Sequence, residues 1–370
     1  MTLARVGLFR LGGLDGPGAA TVRGLRTAAA LTFLAAMLAV VVILSLGIGA
    51  VRIPPGQVLA ILSEPMGLRL PWAYDTHHEA IVTIIRLPRV LLGALIGAGL
   101  AMSGAAMQGL FRNPLADPGL VGVSSGAAVA AVGVIVLGAT WLSGLPVLLG
   151  AFTLPLAAFA GGVTTTIVVY NLSSRDGRVI VATMLLAGIA VNALTSALTG
   201  VFIFLADDAQ LRTIMFWGLG NLGGATWPAV GAATPFIVLS LAIILRASRP
   251  LNALVLGESE AGHLGFNVER TKRVLILCVA LAVGASVAVA GIIGFVGLVV
   301  PHLLRLAVEP DHRFLLPASG LLGGSLLLAA DLIARTIVAP AELPIGIVTA
   351  IIGGPFFLYL LRRGRAQMGL

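Results

Sequence analysis

From Thr27 to Leu361 the chain is a succession of apolar runs, many of them about 20 residues long, separated by short stretches that hold most of its charge. A helix of that length spans the roughly 30 Å hydrocarbon core of a bilayer. This repetition constrains the fold more tightly than any motif. A backbone in lipid must satisfy its own hydrogen bonds, and helices do so segment by segment. Composition agrees: 58% of residues are hydrophobic and 10% charged, against roughly 25% charged in soluble domains. Mean hydropathy is +1.06. The expected class is an all-α polytopic membrane protein. Its single cysteine, Cys278, leaves no disulfide possible within the chain. A net charge of +8 reports loops facing lipid headgroups rather than nucleic acid.

Ten spans are expected: Thr27–Ala50, Val90–Phe111, Leu120–Ala139, Pro146–Tyr170, Val179–Leu205, Pro228–Leu245, Val274–Ala290, Ile293–Leu306, Leu315–Arg335 and Ile345–Leu361. The run near Ile293 is short and broken by glycine. The first run is too long for a signal-peptide core. The stretch Val51–Ile85 holds Pro54, Pro55, Pro65, Pro71 and His77-His78-Glu79, and reads as a folded external loop. The chain thus divides into a cytoplasmic segment (1–26), a membrane domain (27–361) with a long inner loop at about 246–273, and a cytoplasmic tail (362–370). With the N-terminus inside, Arg52, Arg69, Arg86, Arg89, Arg212 and Arg335 fall outside, and the rest of the 23 Lys and Arg residues fall inside. That bias obeys the positive-inside rule and places both termini in the cytoplasm.

Several local patterns bear on chemistry. Ala101–Pro114 (AMSGAAMQGLFRNP) aligns without gaps on Ala288–Pro301 (AVAGIIGFVGLVVP), a faint echo of the kind left by duplicated transporter halves. Gly122-Val-Ser-Ser-Gly126 fits the G-x-S-x-G pattern of hydrolases, but that motif needs a strand before it and a helix after it. Here an apolar helix surrounds Ser124, and no histidine and acid lie near it in sequence. Small residues serve better as helix-packing positions, as do Gly93, Gly97, Gly320 and Gly324 at four-residue spacing. Asp331 is the one carboxylate well inside a span; an ionisable group there is a functional candidate, although Arg335, one turn on, can pair with it. A single such group argues against ion-driven transport.

Arg86 and Arg89 bracket Leu87-Pro88 at the outer mouth of the second span, and Arg335 ends the ninth. These side chains can anchor at the interface by snorkelling, or their guanidinium forks can dock carboxylates of a protein partner. The inner loop carries LGESEAGHLGFNVER (Leu256–Arg270), whose glycines suggest short surface helices for docking a cytoplasmic partner, with a plain solvated loop as the alternative. Adjacent His77 and His78 cannot easily share one metal, and no metal site is expected. The NPLADP stretch (Asn113–Pro118) reads as an inner turn: Pro114 and Pro118 cannot continue a regular helix, and Asp117 can cap the next one.

The run IRLPRVLLGALIGAGLAMSGAAMQGLFRNPLADPGLVGVSSGAA (Ile85–Ala128) resembles the signature of FecCD-type permeases, the membrane subunits of type II ABC importers for ferric siderophores, heme and vitamin B12. LGESEAGHLGFNV, GFVGLVVPHLLRL (Gly294–Leu306) and AELPIGIVTAIIGGPFFLYLL (Ala341–Leu361) fit the same pattern, so the resemblance covers nearly the whole chain from about residue 30. It implies ten helices per subunit, a homodimer in a bacterial inner membrane and a path at the dimer interface. It further implies two cytoplasmic ATPase subunits, which carry ATP and Mg, and a periplasmic binding protein. The chain itself would hold no permanent cofactor and no catalytic residue. By resemblance, Arg86, Arg89 and Arg335 receive carboxylates of the binding protein. Gly257, Glu258, Glu260, Ala261, Leu264 and Gly265 belong to the coupling segment, about Gly257 to Val268. Val179–Leu205 lines the path, and Ser173, Ser174, Arg175 and Asp176 lie near an inner gate. The wording is nearest to heme permeases, with ferric siderophore or corrinoid as alternatives. A secondary carrier and an intramembrane hydrolase are the readings from other classes.

Overall fold

The computed structural model describes residues 17–138, 142, 144–175, 178–308 and 310–368, with the backbone alone at 17–23, 145–147 and 360–368. The helices in chain order are α1 (Pro17–Gly47), α2 (Pro55–Ser63), α3 (Thr76–Ala80), α4 (Leu87–Leu110), α5 (Val123–Leu137), α6 (Gly144–Leu149), α7 (Thr153–Ser173) and α8 (Val181–Leu205). They continue with α9 (Asp208–Gly218), α10 (Trp227–Arg246), α11 (Ser248–Leu256), α12 (Glu258–His263), α13 (Val268–Ala290), α14 (Val296–Ala307), α15 (His312–Ala334) and α16 (Ile345–Met368). One two-stranded ribbon, β1 (Ser174–Arg175) with β2 (Arg178–Val179), joins α7 to α8. Among the described residues, seven helices are long and apolar enough to cross a membrane, and Val123–Leu137, Val296–Ala307 and Ile345–Tyr359 are shorter apolar helices. Each coincides with one expected run.

Some edges differ from expectation, each for a local reason. The first helix begins at Pro17, inside the segment read as cytoplasmic. The external loop ends early, because Asp75 caps α3 through the His78 N–H at 2.7 Å. A π-helical stretch, Ile81–Arg86, then joins α3 to α4 in a continuous rod from Thr76 to Leu110. His77, His78 and Glu79 are therefore helical residues. The fourth span starts at Gly150 rather than Pro146; it opens with a 3₁₀ turn at Gly150–Phe152, and Gly150 at φ 53° marks its junction with α6. Two short helices, α2 and α9, were not foreseen. A full capping box starts α9: Asp207 takes the Ala209 and Gln210 N–H groups, and Gln210 returns a bond to the Asp207 N–H.

At the centre stands α4, buried without interruption from Gly99 to Leu110, as expected of a helix apolar all round. It packs on α15, α13, α10 and α14, while α1 lies against α15 and α5 against α7. Glycine sets the α4–α15 distance: a Cβ on Gly97 would stand 2.3 Å from the Gly323 carbonyl oxygen. Gly93 faces Leu328 and Leu222, Gly320 faces Met102, and Gly324 faces Ala94. In contrast α8 buries only Met184, Gly188 and Thr195, leaving Leu186, Ile189, Leu194, Leu198 and Phe204 exposed.

The internal echo does not correspond to a structural repeat. Residues 105–108 are helical, whereas their aligned partners at 292–295 form the break before α14. The break passes from Gly291 and Ile293, which are buried, to Gly294, which is exposed. The chain beside it is tied down: the Ala290 carbonyl accepts the Asn221 N–H at 2.8 Å, and the α9–α10 turn binds the start of α16. The turn Asn113–Pro118 is capped as expected, with Asp117 Oδ1 accepting the Gly119 N–H at 2.7 Å. Burial, opposed by that hydrogen bond, raises the Asp117 pKa.

Candidate functional site

Polar contacts sort the connections into two ends. At one end, Arg335 reaches Ser45, Arg89 reaches Glu342, and the Trp227 indole donates to the Thr83 carbonyl at 3.1 Å. At the other, Asn252 binds Asp311 and His312, Arg305 binds Gln108, and Lys272 binds Val179. The arginines are gathered at the first end, and the segments at 173–175 and 257–272 at the second.

Arg86, Arg89 and Arg335 line one cleft of about 240 Å³ with Glu342 and the 49–51 loop. Arg86 and Arg89 come from within the α3–α4 rod and Arg335 from the C-terminal end of α15, and glycine contacts hold these two helices close. Arg86 is 5% exposed and donates to the Leu46 carbonyl at 2.6 Å and to the Val51 carbonyl. Gly49 makes room for it, since a Cβ there would stand 2.7 Å from Arg86 Nη2. Arg89 grips Asp331 with Nε at 3.1 Å and Nη2 at 2.8 Å, and Glu342 with Nη1 at 2.9 Å. Arg335 donates to the Ser45 carbonyl at 2.6 Å and lies 3.6 Å from Asp331. The Asp331 side chain is 1% exposed and sits between two guanidinium groups.

Two features here escaped the sequence. Arg335 does reach Asp331, but the shorter grip comes from Arg89, 242 positions away in sequence. Glu342 was quoted only within a motif, yet it occupies one fork of Arg89 while 40% exposed. Three guanidinium groups therefore face two carboxylates, leaving the cleft net positive.

At the opposite end, α11 and α12 form a helical pair at the membrane domain's edge. Gly257 links them at φ 132° and Gly265 follows at φ 86°, backbone that favours glycine. Glu260 and Leu264 are exposed, whereas Ala261 is fully buried and faces inward. Glu258 pairs with Lys272 at 2.7 Å. Nearby, Ser173 is buried and bonds back to Val169 and Tyr170, while Ser174 and Arg175 pair with Val179 and Arg178 in the ribbon. Asp176 lies outside the described residues. Sequence reading passed over Lys272 as one more basic residue of the inner loop. Its spacing from Glu269 on α13 was the available signal.

Among the described residues, seven long and three shorter apolar helices, with a short helical pair at one end and a basic cleft at the other, define a polytopic membrane protein. The chain belongs to the FecCD transport family, which matches residues 37–363. It is 47% identical to the hemin transport system permease protein HmuU of Yersinia pestis, over 84% of this chain and 93% of that protein. Identity is 48% to the cobalamin import system permease protein BtuC of Halobacterium salinarum, over 77% of this chain and 74% of that one. In three dimensions it resembles a metal-chelate type ABC transporter solved in an inward-facing conformation. The TM-score is 0.77 at 32% identity, covering 90% of this chain and 98% of the other. The fold is that of a type II ABC importer permease, and the chain is a permease subunit of such an importer.

Proposed function

We propose that two copies of this chain form a heme-translocating channel in a bacterial inner membrane, with both termini in the cytoplasm. An ATPase subunit seats on each α11–α12 pair, and a periplasmic binding protein delivers heme to the arginine cleft. ATP and Mg would reside on the ATPase subunits. The observation that carries this reading is the separation of the two sites to opposite ends of one helical domain. Energy supplied at one end can then open a path to ligand arriving at the other.

The exposed apolar face of α8 suits the second copy and the path between them. A net positive cleft favours carboxylates on the arriving protein, and buried arginines fix where those carboxylates must sit. Heme is favoured by near full-length similarity to a hemin permease. Comparable identity to a cobalamin permease, over a shorter stretch, supports a corrinoid as the second reading. Uptake of hemin, cyanocobalamin and a ferric siderophore, each on its binding protein, into vesicles holding the complex separates them. Hemin alone should accumulate with ATP; accumulation of the corrinoid alone would replace the substrate.

Docking is tested by joint charge reversal of Arg86, Arg89 and Arg335, which should weaken binding-protein affinity. Unchanged affinity would remove the cleft from the docking surface. Gly265→Val, forcing a side chain into φ 86°, should distort the coupling segment and separate ATP hydrolysis from uptake. Normal coupled uptake would contradict that role.

A further inference from the structure

The inner end holds a buried charge that neither docking nor gating accounts for. Lys272 lies in the first turns of α13 with its side chain 2% exposed. Its ammonium has three oxygen partners: Glu258 Oε2 at 2.7 Å, Val179 O at 3.0 Å and Glu269 Oε1 at 3.1 Å. An ammonium has three protons to give, and these contacts satisfy them. The acceptors belong to α12, β2 and α13. Glu269 closes the circuit, because its Oε2 accepts the Val179 N–H at 2.8 Å. Both polar groups of the Val179 backbone are thus held by one ion-paired unit. The next residue, Ile180, is the N-cap of α8 and donates its N–H to the Ser173 carbonyl at 3.1 Å.

An exposed ion pair exchanges its partner for water at little cost. A buried ammonium cannot, since an unpaired charge there is strongly unfavourable. Its partners must therefore move with it. Apolar contacts at the same place would let α12 slide past the ribbon, whereas this hub fixes direction and distance.

We infer that Lys272 is a positioning residue that carries displacement of α12 into the β1–β2 ribbon and so to the start of α8. The inference rests on α12 being the ATPase seat. Motion of α12 takes Glu258 with it, Glu258 takes the ammonium, and the ammonium with Glu269 takes Val179. Glu258 is the tie from α12, whereas the ribbon is held by two contacts in parallel, the ammonium on the Val179 carbonyl and Glu269 on the Val179 N–H. Cutting the Glu258 arm severs the link, cutting the Glu269 arm weakens it, and adding the second cut to the first changes nothing.

The test uses the full chain reconstituted in lipid vesicles with its ATPase subunit, comparing wild type, Glu258→Gln, Glu269→Gln and the double variant. Lys272→Met removes the hub and is the harsher change; the glutamine variants keep side-chain volume and a neutral acceptor should the methionine variant not fold. The readout is hydrogen–deuterium exchange across residues 173–181, with and without MgATP and vanadate, beside ATPase retention on the vesicles. In wild type, nucleotide trapping should change exchange in this segment. Glu258→Gln should reduce that change about fivefold, the scale of a modest allosteric coupling, scored per ATPase retained on the vesicles; Glu269→Gln, outside the ATPase seat, should reduce it less with the ATPase still bound, and the double variant should match Glu258→Gln. A wild-type response in Glu258→Gln, or a double variant that loses more than Glu258→Gln, would overturn the link. Failure of the wild-type chain to bind the ATPase would overturn the functional reading and the link together. This readout does not depend on which ligand is carried.

Discussion

Asp331 shows how a single residue can organise one end of the molecule. Its carboxylate is buried between the guanidinium groups of Arg89 and Arg335, its two charged partners in this cleft. Arg89→Ala should lower unfolding stability by roughly 3 kcal/mol, because it strands a buried charge. Adding Asp331→Asn should restore most of the loss, as read by thermal unfolding in detergent; no recovery would mean that Arg89 acts through packing instead. Glu342 plays a different part. It is partly exposed and holds the Arg89 fork that an arriving carboxylate would need. Glu342→Gln should therefore tighten binding-protein docking several-fold, around 1 kcal/mol, in a surface-binding measurement. Weaker docking would show that Glu342 itself meets the partner. Asp75, outside the spans, gives a prediction with a pH sign. The His78 N–H holds its carboxyl below the ordinary value. Its contribution is present above that value and is lost as pH falls through the lowered one. Protection of the His78 amide should survive a fall through about pH 3.9 and fade only below it, as hydrogen exchange can check.

Helices reveal what periodicity and length can carry. Apolar runs marked the seven membrane-length helices and the three shorter apolar ones among the described residues, because a bilayer demands length and apolarity above all. Turn chemistry marked the Asn113–Pro118 connection. The α9 helix was missed because its capping box, Asp207 with Gln210, precedes no long apolar run. The start of α3 was missed because polar His77-His78-Glu79 looked like loop, though Asp75 caps it. Partners distant in sequence were beyond reach: Arg89 with Asp331, and Lys272 with Val179. At the α4–α15 contact, Gly97→Val should force the Gly323 carbonyl away and destabilise by about 1–3 kcal/mol, the usual range for overpacking. A thermal midpoint equal to that of wild type would show that the contact yields freely. For α9, Asp207→Ala should raise amide exchange in its first turn, with about 1 kcal/mol of cap lost; unchanged exchange would make the box redundant.

Across the whole molecule, polar contacts mark two distinct ends. The cleft end presents buried arginines partly neutralised by the chain's own acids. The other end presents a short helical pair tied through Lys272 to the ribbon before α8. A long, little-buried helix, α8, follows directly after that ribbon. The central claim is that energy from an ATPase on α11–α12 drives ligand received at the arginine cleft. Its most direct test is hemin uptake into vesicles holding this chain and its ATPase, with hemin-loaded binding protein outside and ATP inside. Accumulation that requires both ATP and the binding protein, and that fails when Arg86, Arg89 and Arg335 are reversed in charge, is the predicted result. Uptake that proceeds without ATP, or without the binding protein, would contradict it.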